Sequence, residues 1–405
     1  MTLSGGGATR ILAIHSSFER DTPALTVQRL TFQGGVRSGS GEGTENGGGA
    51  IYRLGGTLAI IDCTFSGNQC PGEGQDVAGG AVYSIGRGLT AVEGSRFFDN
   101  SGSNGGALGN LHNDLVIANS IFAGNAATGS GGNPGNGGNG GAIYIDGVGQ
   151  TVEICGATIS GSAANAYGGG LFRVSNDGTG TMTMDTCTID GNKIPDRSPS
   201  MAGGLYLQGM AVTMTATTIS NNEARGAGGM FVGPDSTAQL FNVTVAHNTA
   251  LSSLGGGISF DAGVTGTVLN CTLANNRAPG EVAFAAATVG GGAVTMQNTI
   301  VDGHEAGNGW NPISCRDLLM EGGGNIQYPV ERAGGGSDDP DALCTPDILV
   351  ADAMLGPLRD NGGPTLTLMP DPGGPAPGLA TGCPATDQRG EPRGEPCTSG
   401  AVEVE

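Results

Sequence analysis

The sequence predicts an all-β chain, a single-stranded parallel β-helix of about ten coils followed by an irregular C-terminal cap. Three observations predict it. Glycine supplies 79 of 405 residues. Two short motifs alternate along most of the chain, and between them apolar residues recur at every second position. That much glycine without a period would signal disorder. With a repeat of 25 to 37 residues it signals a solenoid that turns sharply in every coil.

The first motif is Gly-Gly-Ala-aliphatic or a close variant. Its aliphatic residue is Ile51, Val82, Leu108, Ile143, Leu171, Leu205, Met230, Ile258 and Val294. The second is an apolar residue with Asn three positions later in most coils. Its apolar anchor is Phe32, Phe65, Phe97, Phe122, Ile159, Ile189, Ile219, Val245, Leu273 and Ile300. Five residues before the anchors stand Val27, Ile60, Val92, Ile117, Ile154, Met184, Met214, Leu240 and Val268, with Thr295 breaking the series. Alternation at period two marks a strand with one buried face. Glycine pairs would break a helix in every repeat, so each coil holds two or three short strands.

The glycine pairs are turns that need positive φ and close packing between coils. The insertion from Thr128 to Gly141 is then a loop that leaves the stack undisturbed. The recurring Asn68, Asn100, Asn125, Asn192, Asn222, Asn248 and Asn276 fit a structural ladder, because an amide bonds both up and down a stack. The solenoid is expected over residues 1–312. Residues 313–405, rich in Pro, Gly and Asp, are expected to lie along or over the last coils as a cap.

A formal charge of −20, with Lys193 the only lysine, excludes a cationic groove for nucleic acid. No apolar run approaches the ~20 residues that span a bilayer. The first fifteen residues lack a basic stretch followed by an apolar one, so no signal peptide is expected within this chain. The charge leaves divalent cations and neutral glycans as suitable ligands. Of nine cysteines, Cys63 and Cys70 are spaced to bridge across a turn. Cys315, Cys344, Cys383 and Cys397 are placed to staple the C-terminal quarter, which implies an oxidising compartment. Cys155, Cys187 and Cys271 are expected as buried thiols.

The GGAIY/CTFSGN and GGAVY/RFFDN pairs resemble the polymorphic outer-membrane-protein type of repeat, defined by GGAI and FxxN tetrapeptides. NTIVDG (298–303), GGGNI (322–326), LGPLRDNGGPTLTLMP (355–370), DQRGEPR (387–393) and CTSGAVE (397–403) resemble the choice-of-anchor Q domain of bacterial secreted and surface proteins. The resemblance implies a right-handed, pectate-lyase-like parallel β-helix, extracellular or displayed at the bacterial cell surface, the outer membrane included. It implies no reaction.

No catalytic residue is assigned. A lyase or hydrolase site needs clustered carboxylates with a basic partner. Asp62, Glu93, Glu153 and Asp185 form no such cluster in the repeat, and His15, His112, His247 and His304 fall at unrelated phases. One binding candidate remains. Tyr52, Tyr83, Tyr144, Phe172, Tyr206 and Phe231 each follow the first motif's aliphatic residue, with Gly109 interrupting. Pointing outward, these rings would form a stripe for sugar rings. Covered by loops, they would be an ordinary ladder of stacked rings. A weaker candidate is the acidic loop Asp338, Asp339 and Asp341, with oxygen ligands for Ca²⁺. The expected function is non-catalytic: adhesion, display or cell-surface structure, with glycans or cell-surface components as partners. The alternative is a carbohydrate-active lyase or glycoside hydrolase.

Overall fold

One coil shows how the sequence folds. Ile51–Leu54 runs as a strand and turns at Gly55 and Gly56 into Thr57–Ile61. Asp62, at φ 51°, makes the next corner into Thr64–Ser66. Each strand pairs in parallel with its counterpart one coil away, so Tyr52 faces Tyr83, Ile60 faces Val92 and Phe65 faces Phe97. Three faces result: an aliphatic face, an alternating face and an anchor face. The computed structural model describes residues 1–39, 41, 43–131, 136–279, 285, 287–306, 312–329 and 341–404. Among them there is no α-helix, only a 3-10 turn at Thr44–Asn46. About eleven right-handed parallel coils are present. They divide between two units, Met1–Thr183 with Gly191–Met210, and Met184–Asp190 with Ala211–Glu405.

In the first unit Phe32, Phe65, Phe97 and Phe122 stack with ring centroids 4.6–4.7 Å apart and planes within 4°. Ile60, Val92, Ile117 and Ile154 lie in one register and are buried. Each such side chain contributes roughly 1.5–3 kcal/mol of burial. Beside the anchors, Asn68 Nδ2 donates to Asn100 Oδ1 at 2.9 Å, and Asn100 Nδ2 to Asn125 Oδ1 at 3.0 Å. Ser162 takes the next rung, its Oγ accepting from the Asn125 N–H.

In the second unit the ladder runs Asn222, Asn248, Asn276. Here the expected register slips by one residue. Leu273 faces Val301, and Val268 faces Met296. The core positions of that coil are therefore Val301 and Met296 rather than Ile300 and Thr295. Val294 lies on the alternating face opposite Gly266, so its GGAV tetrapeptide does not belong to the first motif. The aliphatic face continues instead through Thr288 opposite Ile258. Parallel pairing also runs past residue 312, through Met320–Glu321 and Ile326–Gln327 to Leu349–Val350.

Residues 353–404 then run as a strap along the outer side of this unit's anchor face. Leu368 packs on Ala246 and Ala274. Gln388 donates to Thr218 Oγ1 and accepts from Thr244 Oγ1, at 2.9 and 2.6 Å. Arg393 donates to Asn242 Oδ1 at 2.8 Å, and Ala401 N to Thr272 Oγ1 at 2.9 Å. The disulfides Cys315–Cys344 and Cys383–Cys397 close over the end of the coils and within the strap. Cys63 and Cys70 do not bridge. Both thiols are buried, Cys63 against the carbonyls of Val27 and Ile61 and Cys70 against that of Ala78. Cys187 and Cys271 are buried as expected, whereas Cys155 ends an alternating strand on its outer side and is exposed.

Candidate functional site

The aromatic stripe forms in register, and its rings are covered. Arg10 lies over the Tyr52 ring at 4.6 Å, and His15 packs beside it. Tyr83 is fully buried against Ala78 and leans into the space left by Gly109, where a Cβ would come within 2.8 Å of the ring. Tyr144, Phe172 and Tyr206 stack at 5.4 and 5.1 Å, with Tyr167 against the last two. The Tyr144 hydroxyl donates to Asp146 Oδ2 and the Tyr206 hydroxyl to Gln208 Oε1, each at 2.8 Å. Phe231, in the second unit, is buried opposite Ser259. Of the six, only Tyr206 is half-buried rather than buried. The arrangement is a ring ladder roofed by side chains from the preceding loops.

A groove of about 330 Å³ opens in the first unit at the bend between the aliphatic and alternating faces. Its wall is the segment between the strands Leu12–His15 and Ala24–Gln28. In the next coil two glycines make the same connection; here the longer loop folds back over two later coils. Gly56 N donates to Arg20 O at 2.7 Å, and Arg87 N to Phe18 O at 2.7 Å. Glycine makes this approach possible. A Cβ on Gly55 would sit 2.0 Å from Ser17 O, and one on Gly86 2.7 Å from Phe18 O, with φ of +65° and +80°. Glu19 on the loop pairs with Arg87 at 2.9 Å.

His112, at φ 59°, meets the Phe18 ring edge-on at 5.5 Å. Asp114 accepts the Thr151 N–H at 2.9 Å, and Val148–Gln150 forms the far side. The space continues beside Asp21, Thr57 and Leu89. Of the four large apolar side chains exposed among this unit's described residues, three border it: Phe18 (39%), Leu89 (39%) and Val148 (44%). None of these residues lies in a repeat motif. The only sequence signal for the groove is the length of the loop after His15.

Beneath the groove lie two wholly buried arginines. Arg53 bonds Ser84 Oγ at 2.8 Å and the carbonyls of Gly56 and Arg87. Arg173 donates to Gln150 Oε1 at 3.3 Å and to Gln150 O at 3.0 Å. Burial pulls both guanidinium groups down to about 10, so they remain charged at neutral pH. Ser84, Thr90 and Asn113 continue the network through hydroxyl and amide contacts of 2.6 and 2.8 Å. These groups fix the turns that carry Arg87, Asp114 and Gln150.

Asp338 and Asp339 of the acidic loop lie outside the described residues. Asp341 is buried, and its two oxygens accept the N–H groups of Ile313 and Ser314 at 2.7 and 3.0 Å. Among the described residues no group of three or more His, Cys, Asp or Glu side chains is arranged to hold a metal ion. Glu93 and Glu153 stay exposed on the outer side of the alternating face. His304 lies in the amide ladder, three residues after the true anchor Val301, where Asn276 N donates to its Nδ1.

Residues 141–314 match the family model for a right handed beta helix region. No curated protein and no solved structure matches the chain. The matched span crosses both units and agrees with the parallel register found in each.

Proposed function

We propose that this chain is a non-catalytic β-solenoid, exported or displayed at a bacterial cell surface, where it serves adhesion, display or surface structure. The carrying observation is the pair of disulfides in the C-terminal segment, Cys315–Cys344 and Cys383–Cys397. Such cross-links form and persist in oxidising compartments. The resemblance of residues 298–403 to choice-of-anchor Q domains, and of the GGAI and FxxN tetrads to polymorphic outer-membrane-protein repeats, supports the same reading. Antibody labelling of intact producing cells, with peptide mapping of the unreduced protein, tests it. The expected result is surface or secreted protein with both cross-links closed. Protein confined to the cytoplasm with all nine thiols free would overturn it.

One observation favours the carbohydrate-active alternative. The groove brings Glu19, Asp114, His112 and Arg87 to one bend of the solenoid. Release of reducing or unsaturated ends from polysaccharides by the purified chain would select that reading.

A further inference from the structure

We infer that the groove between the Phe18–Asp21 loop and the Val148–Gln150 turn is a binding site for a neutral, hydroxyl-rich glycan chain. The inference rests on the adhesion reading only for where the protein would meet its ligand.

The site is built rather than incidental. A loop crosses two later coils to make its wall, and glycines at 55 and 86 leave room for it that no other side chain would. The loop is held by backbone bonds from Gly56 and Arg87 and by the Glu19–Arg87 pair. Ring and aliphatic shoulders stand out of the solvent-facing surface at Phe18, Leu89 and Val148, and polar groups lie between them. Three of the four large apolar side chains exposed among the unit's described residues border this one space, which favours an interaction site. A volume near 330 Å³ lies at the small end of ligand sites, and the space extends along the coils past Leu89.

The lining chooses the ligand class. Sugars present an apolar C–H face and a rim of hydroxyls that both donate and accept. Phe18 offers a ring for the first. Asp114 accepts through the oxygen not bonded to Thr151, and Arg87 and His112 add nitrogen donors for the second. A polyanion is disfavoured, because Glu19 already pairs with Arg87 and the chain carries −20 overall. A peptide added as a strand has no edge to join. Thr57–Ile61, Leu89–Glu93 and Asp114–Ala118 are each paired on both sides.

The test uses the full purified chain and soluble hexamers of β-1,4-linked glucose, xylose, mannose and N-acetylglucosamine, titrated by calorimetry. At least one is expected to bind. Phe18→Ala and Asp114→Asn should each weaken binding about tenfold or more. Thr267→Ala, on the outer side of the second unit's alternating face, should leave it unchanged. Phe18 is exposed and Asp114→Asn keeps an oxygen for the Thr151 N–H, so an unchanged melting temperature separates lost contact from lost fold. No binding by any hexamer, binding indifferent to both groove variants, or preference for polygalacturonate would overturn the inference. A cytoplasmic location would overturn surface display and leave the groove standing. Absent binding with confirmed display would do the reverse.

Discussion

Asn276 donates its backbone N–H to Nδ1 of His304 at 3.2 Å, so a histidine completes a ladder otherwise made of asparagine amides in this unit. Accepting at Nδ1 places the ring proton on Nε2, which is buried without a partner. Burial pushes the imidazole down from 6.5 to about 4. The folded value lies below the unfolded one, so the unfolded chain binds the proton more readily. Stability is full above pH 6.5 and falls as pH drops toward 4, by about 3 kcal/mol in all. His304→Asn should remove that loss, because an amide can accept from Asn276 N and donate to Leu273 O, as Asn276 does to Val245 O. Melting temperatures of both proteins between pH 7 and pH 4 check it. Parallel curves would exclude His304 as the source.

Asp302 lies two residues away and titrates in the opposite sense. Burial, with Asp352 adding repulsion, raises its carboxyl from 3.8 to about 6 against the N–H bonds of Ala353 and Gly303. The folded state holds the proton more tightly, so the contribution is full below pH 3.8 and lost as pH rises through 6. Asp302→Asn should therefore raise the melting temperature at pH 7 and make little difference at pH 4. A gain of equal size at both pH values would contradict the assignment.

The coil pattern was legible because stacking requires it. Phe65 needs Phe97 above it and Asn100 needs Asn125, so the repeat is written into the sequence at the spacing of each coil. The slip at Ile300 arose because Ile300 and Val301 are both apolar and both buried, one under the strap and one in the core. Counting three residues from the wrong anchor hid His304. Tyr83 and its neighbours were legible as a ladder under loops, but the residues of that roof were not. Arg10, Ala78 and Tyr167 come from loops that carry no repeat. The groove escaped for the same reason. Phe18 and Glu19 reach Arg87 and His112 through a loop whose path is set by glycines one and two coils on.

Asn248→Ala tests what the ladder contributes. The Asn248 side chain accepts from Asn222 N at 3.0 Å and donates to Ile219 O at 2.9 Å and Asn276 Oδ1 at 3.0 Å, all in the interior. Alanine leaves the buried Asn222 N–H without its acceptor, whereas Asn276 Oδ1 keeps the Asn248 backbone N–H at 3.0 Å. One stranded buried donor costs ~1–3 kcal/mol, and denaturant unfolding should show a loss in that range. A loss below about 1 kcal/mol would mean water replaces the amide.

Gly49→Ala and Gly67→Ala separate crowding from strain. A Cβ at Gly49 would lie 2.4 Å from Gln69 O, 2.6 Å from Gly80 O and 2.7 Å from Gly35 O. All three are backbone atoms of the stack, so the variant should fail to give folded protein. Gly67 has φ +60° and open space around its Cβ position. Alanine there carries only the left-handed penalty, ~1–2 kcal/mol, and should fold. Circular dichroism and soluble yield compare the two. Equal behaviour would remove close packing as the reason for the glycine at 49.

The strap should detach in two stages. Cys383–Cys397 closes a loop with a sequence separation of 14, for which chain entropy gives ~3 kcal/mol. Arg393 is the second latch, bonded to Asn242 Oδ1, Gly400 O and Thr398 O and paired with Glu403 at 3.1 Å. Arg393→Met would leave Asn242 Oδ1 without its donor and Glu403 without its cation, though the Thr398 and Gly394 N–H groups still bond that carboxylate, so the cost is ~1–3 kcal/mol. Below the strap Thr218, Ala246 and Ala274 are buried, with Gln388 bonded to the first and Leu368 packed on the other two. The oxidised parent should therefore resist limited proteolysis within 353–404. Reduction or Arg393→Met alone should open the strap slightly, and the two together should make it readily cleaved while the parallel coils remain. Cleavage of the coils at the same rate as the strap would show that the two unfold as one.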